Sequence, residues 1–341
     1  MKTAIGFITY GESTAKYLPY FLESLTISSS HLLARRCVPE RSEGGERKIL
    51  AIDNTEIEDN ENARFIKNNY PQIDFIWAGK NLGFAAAYNI LINKARGWGA
   101  DYFFCINPDT IMEPNAISEM IKVMESDEKI GSIQPKILKW NFEKNIKTNI
   151  IDTLGIKLLP GLRFVDIGQG QLDDGSLNDS LILGPSGAAA MYRMSALEKV
   201  SIPLLLSRST REGVRGGGSG AVEFFDELMF MYKEDCDLAY RLHLAGYQSK
   251  LASQAIIYHD RSASAQGESW LAIIRNRKNK SRQVRVWSFL NQQIIFLKYW
   301  QQENWKNKIA IIREEFKILS FAIIFEPYLL KELTKLRKIK K

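Results

Sequence analysis

Acidic residues in three places, and one histidine, carry the side chains that chemistry needs. In the stretch from Tyr102 to Thr110, an unbroken apolar run stops at Asn107-Pro108-Asp109. Pro108 cannot continue a central strand, so Asp109 is expected just past a strand's C-terminal end. In open α/β sheets that edge is where ligands bind. A carboxylate there can hold a hard divalent cation, and the cation can hold a diphosphate. Taken alone, Asp109 equally suits a turn or a helix cap. Asp53, after the run Lys48 to Ile52, is a second carboxylate at a strand end. The third group is Glu234, Asp235 and Asp237 at the start of a helical pattern marked by Leu238, Leu242 and Ala245 and stopped by Gly246. Acids at a helix start complement its dipole, worth about 0.3–1 kcal/mol each. Three in four residues exceed that need, and mutual repulsion makes one of them a candidate general base with a raised pKa. His259 ends the short apolar run Ala255 to Tyr258; a lone histidine there is more often structural than a ligand.

The elements that must position these groups alternate. Strands are expected at Ala4 to Thr9, Lys48 to Ile52, Asp74 to Ala78 and Asp101 to Ile106. Helices are expected around Tyr17 to Leu25, Asn60 to Asn69 and from the Asn81-Leu-Gly83 turn to Ala95. This is an α/β pattern with a mixed, mostly parallel sheet flanked by helices. Beyond Asp109 a helix over Pro114 to Glu125 and a strand over Gly131 to Pro135 follow, then a polar, less regular region to about Ser180. Gly184 to Ala190 reads as a loop entering a strand of small residues, which allow a ligand close to the backbone. Two Arg/Gly/Ser-rich segments, near 28–47 and 205–221, read as loops inserted into one domain. Neither Gly-x-Gly-x-x-Gly nor a P-loop motif is present.

The chain has 341 residues, 46 basic against 39 acidic, and a net charge of +7, which favours an anionic partner. Cys37, Cys105 and Cys236 are odd in number and form no Cys-x-x-Cys pair, which argues against a disulfide framework or a structural zinc site and for a cytoplasmic setting. No run approaches the roughly 18 apolar residues of a spanning helix. The N-terminal apolar stretch is short and runs into Glu12, so it reads as the first strand rather than a signal peptide. The segment 266–341 forms a basic helical extension, in which Arg275 to Arg285 carries six basic residues and no acid, and Trp287, Phe296, Trp300 and Trp305 follow. Such a mixture suits an anionic membrane surface; helices packed on the domain with solvated charges, or a nucleic-acid surface, would show the same composition.

Asp53-Asn54, Asn81-Leu-Gly-Phe84 with Asn89, Asn107-Pro-Asp109, Phe225-Asp-Glu227, Met231-Tyr-x-Glu-Asp-x-Asp-Leu238 and Tyr258-His259 occur in that order. The ordered set resembles the family 2 inverting glycosyltransferases of the GT-A fold, particularly the bacterial rhamnosyltransferase-like branch, over about residues 1–265. The resemblance implies transfer of a sugar, with rhamnose a candidate, from a nucleoside diphosphate-sugar to a hydroxyl of a cell-surface glycan or lipid-linked acceptor, at the inner face of the plasma membrane. It implies Asp235, paired with Glu234, as the general base and Asp109 with His259 as ligands for Mg²⁺ or Mn²⁺. Thr9, Asp53, Asn81, Gly83, Asn107 and Asp109 would serve the donor, and Gly187 and Asp237 the acceptor side. Asn107 removes one acid from the Asp-x-Asp usual there, and Tyr88 and Phe224 stand where glycine is common. A scaffold that binds nucleotide-sugar without turnover is the alternative, and a nucleic-acid-binding protein the less favoured one.

Overall fold

The computed structural model describes residues 1–30, 45–176, 180–202, 222–261 and 280–338. Most of both expected insertions, the division at 265/266, His31, Cys37 and the basic residues Arg275 to Lys278 lie outside them. The strands are β1 Lys2–Thr9, β2 Glu46–Asp53, β3 Asp74–Trp77, β4 Tyr102–Ile106, β5 Thr110–Met112, β6 Ile130–Asn141, β7 Ile146–Thr153, β8 Ile156–Leu159, β9 Arg163–Asp166, β10 Leu181–Ile182, β11 Ala189–Arg193 and β12 Gln248–His259. The helices are α1 Glu12–Ala15, α2 Leu18–Ser30, α3 Glu61–Asn69, α4 Gly83–Trp98, α5 Ala116–Glu125, α6 Met194–Lys199, α7 Glu234–Leu244, α8 Arg282–Tyr299, α9 Trp305–Phe325 and α10 Tyr328–Glu332. Short 3₁₀ turns follow α8 and α10.

One large sheet runs in the order β10-β12-β6-β11-β4-β1-β2-β3, with β5 on β12 and β7 on β6. The β4-β1-β2-β3 half is parallel throughout, as strands joined through helices must be. β11 enters antiparallel between β4 and β6. Helices α2 and α5 cover one face of the sheet and α4, α6 and α7 the other. Every residue of β4 is buried, which its continuous apolar sequence anticipates.

The sheet is more extensive than the sequence suggests. β6 continues past Pro135 because β12 bulges between Ala252 and Ile256, opposite Pro135 and Lys136; the bulge accommodates a proline that has no N–H to give. The expected irregular region contains β7 and the β8-β9 hairpin. Its polar residues disguise it: Asp152 and Thr153 are buried within β7.

The C-terminal helices form a layer on the sheet domain. Ile294, Ile295, Phe296 and Tyr299 of α8 pack on Cys236 and Tyr240 of α7 and on Ile156 of β8. At the centre of that contact the buried Asp237 accepts hydrogen bonds from Lys298 Nζ at 2.7 Å, Tyr299 Oη at 2.7 Å and Arg241 Nε at 2.9 Å. Burial opposes ionisation of this carboxyl, but Lys298 and Arg241 outweigh it and draw its pKa from 3.8 to about 2. Its contribution to stability is complete above 3.8 and is lost as pH falls through about 2. Asp237→Asn is expected to cost about 3–5 kcal/mol at neutral pH by leaving two cations short of a counter-charge, and to flatten the acid limb. Urea unfolding across pH measures both; a loss below about 1 kcal/mol would show that the triad does not hold the layers together.

Candidate active site

The turn after β4 brings Asp109 onto His259. Thr110 Oγ1 donates to the Asn107 carbonyl at 2.6 Å, and β5 then pairs antiparallel with β12, with Thr110 opposite His259. Asp109 Oδ2 lies 3.3 Å from His259 Nε2, and Asp152 Oδ2 lies 2.9 Å from His259 Nδ1. Burial alone would lower the histidine pKa, but the two carboxylates reverse this and push it up to about 10. Arg261 continues the row, with Nη1 at 3.5 Å from Asp152 Oδ1 and 3.2 Å from Asp166 Oδ2 on β9.

The Asp109–His259 pair fits a divalent cation in one respect. Asp109 Oδ1 is buried without a hydrogen-bond partner. An imidazole whose other nitrogen faces a buried carboxylate is also the usual arrangement of a metal-bound histidine. Among the described residues, however, no cluster of three His, Cys, Asp or Glu side chains surrounds a common point. Two protein ligands would leave most positions to water and phosphate oxygens, a pattern that Mg²⁺ tolerates.

The acids at the head of α7 separate. Tyr232 and Lys233, just before them, both have left-handed φ angles, 74° and 69°, a conformation that costs non-glycine residues energy and recurs at functional sites. Asn291 of α8 holds this turn, donating from Nδ2 to the Met231 carbonyl at 2.9 Å and to the Tyr232 carbonyl at 2.6 Å. Asp235 is half-buried and accepts from the Gly187 N–H at 2.9 Å and from the Cys236 N–H at 2.7 Å. Glu234 is buried, its Oε2 without a partner. Burial, then the neighbouring Asp235 charge, pushes its pKa well above the ordinary carboxylate range. Asp237 does not line an acceptor side as expected: its three bonds to α7 and α8 side chains turn it into the helical layer, fully enclosed.

At the donor end, Asp53 is fully buried. Its Oδ1 accepts from Thr9 Oγ1 at 3.0 Å, Thr55 N–H at 3.2 Å and Thr55 Oγ1 at 2.7 Å, and Asn60 Nδ2 bonds its Oδ2. Thr9 and Asp53 therefore tie the ends of β1 and β2 together. Asn81 Oδ1 accepts from the Gly83 N–H at 2.9 Å. Gly83 has φ 73°, and a Cβ there would stand 2.4 Å from the Phe230 carbonyl oxygen, so only glycine lets the start of α4 approach the 222–233 loop. Asn89 clamps the same loop, accepting from the Phe224 and Phe225 N–H groups at 2.9 Å each and donating to the Phe225 carbonyl at 2.8 Å and Glu227 Oε1 at 3.0 Å.

The two acidic ends meet through β11's entry loop. Asn107 N–H donates to the Ala188 carbonyl at 2.9 Å, and the adjoining Gly187 N–H donates to Asp235. A Cβ on Gly187 would sit 3.5 Å from Asp235 Oδ2 and 3.2 Å from the Phe84 ring. Arg261 feels Asp235 as well as Asp152 and Asp166. The turn that carries Asp109 and the head of α7 that carries Asp235 are thus joined through the 187–188 backbone, while Gly83 meets the 222–233 loop that leads to Asp235. Sequence reasoning missed Asp152, Asp166, Arg261 and Asn291. Asp152, between Ile150-Ile151 and Thr153-Leu154, was visible as an acid inside an apolar run, and Arg261 as a cation two residues beyond His259.

Residues 5–201, more than half of the chain, match the family model "Glycosyl transferase family 2". The N-acetylglucosaminyl-diphospho-decaprenol L-rhamnosyltransferase of Mycobacterium tuberculosis, in two strains, is 25% identical over 269 residues, 75% of either chain. A crystal structure of GalNAc-T7 with UDP, GalNAc and Mn²⁺ aligns over 76% of this chain and 43% of its own, with 12% identity and a TM-score of 0.48. The crystal structure of S. aureus TarS aligns over 77% of this chain and 37% of its own, with 13% identity and a TM-score of 0.45. The chain spans less than half the length of these two solved proteins.

Asn291→Ala removes both side-chain bonds that hold the strained turn before Asp235. It is expected to destabilise the chain by about 1–3 kcal/mol, and hydrogen exchange should accelerate first at residues 229–236. Uniform acceleration across the sheet would instead assign Asn291 a general packing role.

Proposed function

The chain belongs to glycosyl transferase family 2, and from that premise we propose that it carries one sugar from a nucleoside diphosphate-sugar to an acceptor hydroxyl by a single inverting displacement. The observation that carries this reading is the half-buried carboxylate of Asp235, oriented by the Gly187 N–H on the loop whose next residue, Ala188, accepts from the Asn107 N–H, two residues before Asp109. Asp235 accepts the acceptor's proton as the acceptor oxygen bonds the anomeric carbon and the bond from that carbon to the diphosphate oxygen breaks. The Gly187 N–H holds Oδ2 and the Cys236 N–H holds Oδ1, which fixes the carboxylate's orientation while each oxygen keeps a further lone pair for the acceptor's proton. Burial, then the Asp235 charge, raises the pKa of Glu234 and so disfavours a second charge beside Asp235.

The leaving diphosphate departs on the other side. Asp109 and His259 are the residues that would hold Mg²⁺ or Mn²⁺, and a bound cation would neutralise the charge developing on the diphosphate. Asp152 keeps the His259 ring oriented, with Nδ1 committed and Nε2 facing Asp109. Asn81 and Gly83 support the donor end, and Asp53, with Thr9, shapes the floor under the nucleotide. Likeness to the mycobacterial L-rhamnosyltransferase favours an L-rhamnosyl donor and an acceptor carried on a lipid diphosphate.

Incubation with a panel of nucleotide-sugars and Mg²⁺ or Mn²⁺ is expected to release nucleoside diphosphate from one donor; binding without release from any would favour a scaffold that has lost turnover. With that donor, Asp235→Asn is expected to lower kcat by at least about 100-fold while nucleotide affinity holds. Glu234→Gln, at a buried acid whose pKa is raised, should stay within about threefold of the parent. The reverse ranking would move the base role to Glu234. Asp152→Asn is expected to weaken Mn²⁺ binding in the presence of nucleoside diphosphate by about 10–100-fold, as titration calorimetry reads; unchanged affinity would remove His259 from the cation's ligands.

A further inference from the structure

Among the described residues nothing covers the outer face of α9. Trp305, Ile309, Ile312, Phe316 and Ile323 recur at steps of four, three, four and seven, so they share one helix face. Their exposures are 68, 50, 58, 73 and 60%. The opposite face is the one that packs: Ile311 and Ala322 are buried there, and a Cβ on Gly161 would lie 2.9 Å from the Ala310 carbonyl. The apolar row spans about 27 Å from Trp305 to Ile323. It continues into a groove of about 300 Å³ between α8 and α9, where Phe296, Leu297 and Trp300 join Ile312. Continuous exposed apolar surface of this length marks an interaction site.

Charge selects the partner. Lys306 and Arg313 flank the row on one side and Lys308 on the other, with Lys306 over the Trp305 ring and Lys308 over the Trp300 ring. The acids of α9 are withdrawn: Glu314 is 17% exposed and bonded to Lys317, and Glu315 accepts from buried Gln293. Glu315 lines the groove but is committed to Gln293, so the exposed charges beside the apolar row, Lys306 and Arg313, are basic. A second copy docked through the same face would bring these cations against their own equivalents. An anionic lipid surface complements both features, with the apolar row in the acyl boundary, the lysines and arginine at the headgroups and the two tryptophans at the interface. Among the described residues no helix is long and apolar enough to cross a membrane, so α9 would lie in the interface plane.

We propose that the outer face of α9 docks this protein on an anionic membrane surface. The docked helix also touches the site's surroundings, since Asn307 of α9 accepts from the Gly161 N–H at 2.7 Å in the turn of the hairpin that carries Asp166. The proposal stands apart from sugar transfer, because docking is read without donor or acceptor.

The test is flotation of the full chain with vesicles of phosphatidylcholine alone and of phosphatidylcholine with added phosphatidylglycerol. The parent chain is expected to float with the anionic vesicles and not with the neutral ones. The triple variant Ile309→Ser, Ile312→Ser, Phe316→Ser should lower the bound fraction by about tenfold or more, with an unchanged urea midpoint because all three side chains are exposed. Lys306→Glu with Arg313→Glu should abolish the preference for anionic vesicles. Failure of the parent to float, or equal flotation of the triple variant, overturns the proposal. So does a parent dimer that Phe316→Ser converts to monomer, which would assign the face to self-association.

Discussion

The first turn of α7 is the constraint on which the site depends. An α-helix rotates by about 100° per residue, so Asp235 points away from Glu234, and Asp237, two residues on, points away from Asp235. Glu234 is driven into the core, Asp235 faces the β11 entry loop and Asp237 faces α8. Each environment shifts the balance of charge differently. Glu234 has burial and then the Asp235 charge against its ionised form, and its pKa is raised. Asp237 is equally enclosed but meets Lys298, Arg241 and Tyr299, and stays ionised. The contrast shows that partners, rather than burial, decide the charge of a carboxyl. Only Asp235 keeps access to what enters the site.

Histidine 259 presents a related balance on the opposite wall. A buried imidazole flanked by Asp109 and Asp152 carries a proton far more firmly than one in water. The same bracket would hold a divalent cation between Nε2 and Asp109 only with release of the Nε2 proton to solvent, Nδ1–H remaining on Asp152. Arg261 extends the row to Asp166, so alternating charges run from β4's end to the β8-β9 hairpin. Such a row keeps each buried acid paired, which its burial requires.

What was legible in the sequence follows from what each signal measures. The β4 run and its Asn-Pro-Asp stop were readable because continuous burial and a proline break are local facts, and Asp109 stands where that pattern puts it. Asp235 was readable as one of three acids, but Asp237 was not readable as a structural residue. Its partners Lys298 and Tyr299 lie some sixty positions away, on a helix whose packing no local pattern reveals. The β7 to β9 region failed for the opposite reason, since its buried residues include Asp152 and Thr153 and its strands are short. Periodicity registers apolar burial, and this part of the sheet is built partly from polar residues that the charge row satisfies. The stop assumed at Pro135 failed because the compensating bulge is on another strand, β12.

The C-terminal helices follow the Tyr258-His259 motif in the chain, yet the site leans on them. Asn291 supports the carbonyls of the strained Met231-Tyr232 turn, Lys298 neutralises both Asp226 and Asp237, and Tyr299 closes over Asp237. Asp226 sits in the loop that Asn89 clamps from the other side. The loop leading to Asp235 is thus held between α4 and α8, one from the N-terminal half of the chain and one nearer its end. A left-handed Tyr232-Lys233 pair persists only when its surroundings over-determine it, and these two helices supply that determination. Asp235 is therefore positioned from outside the motif that contains it. For that reason α8 belongs to the working part of the molecule, whereas α9, lying over it, is free to face outward.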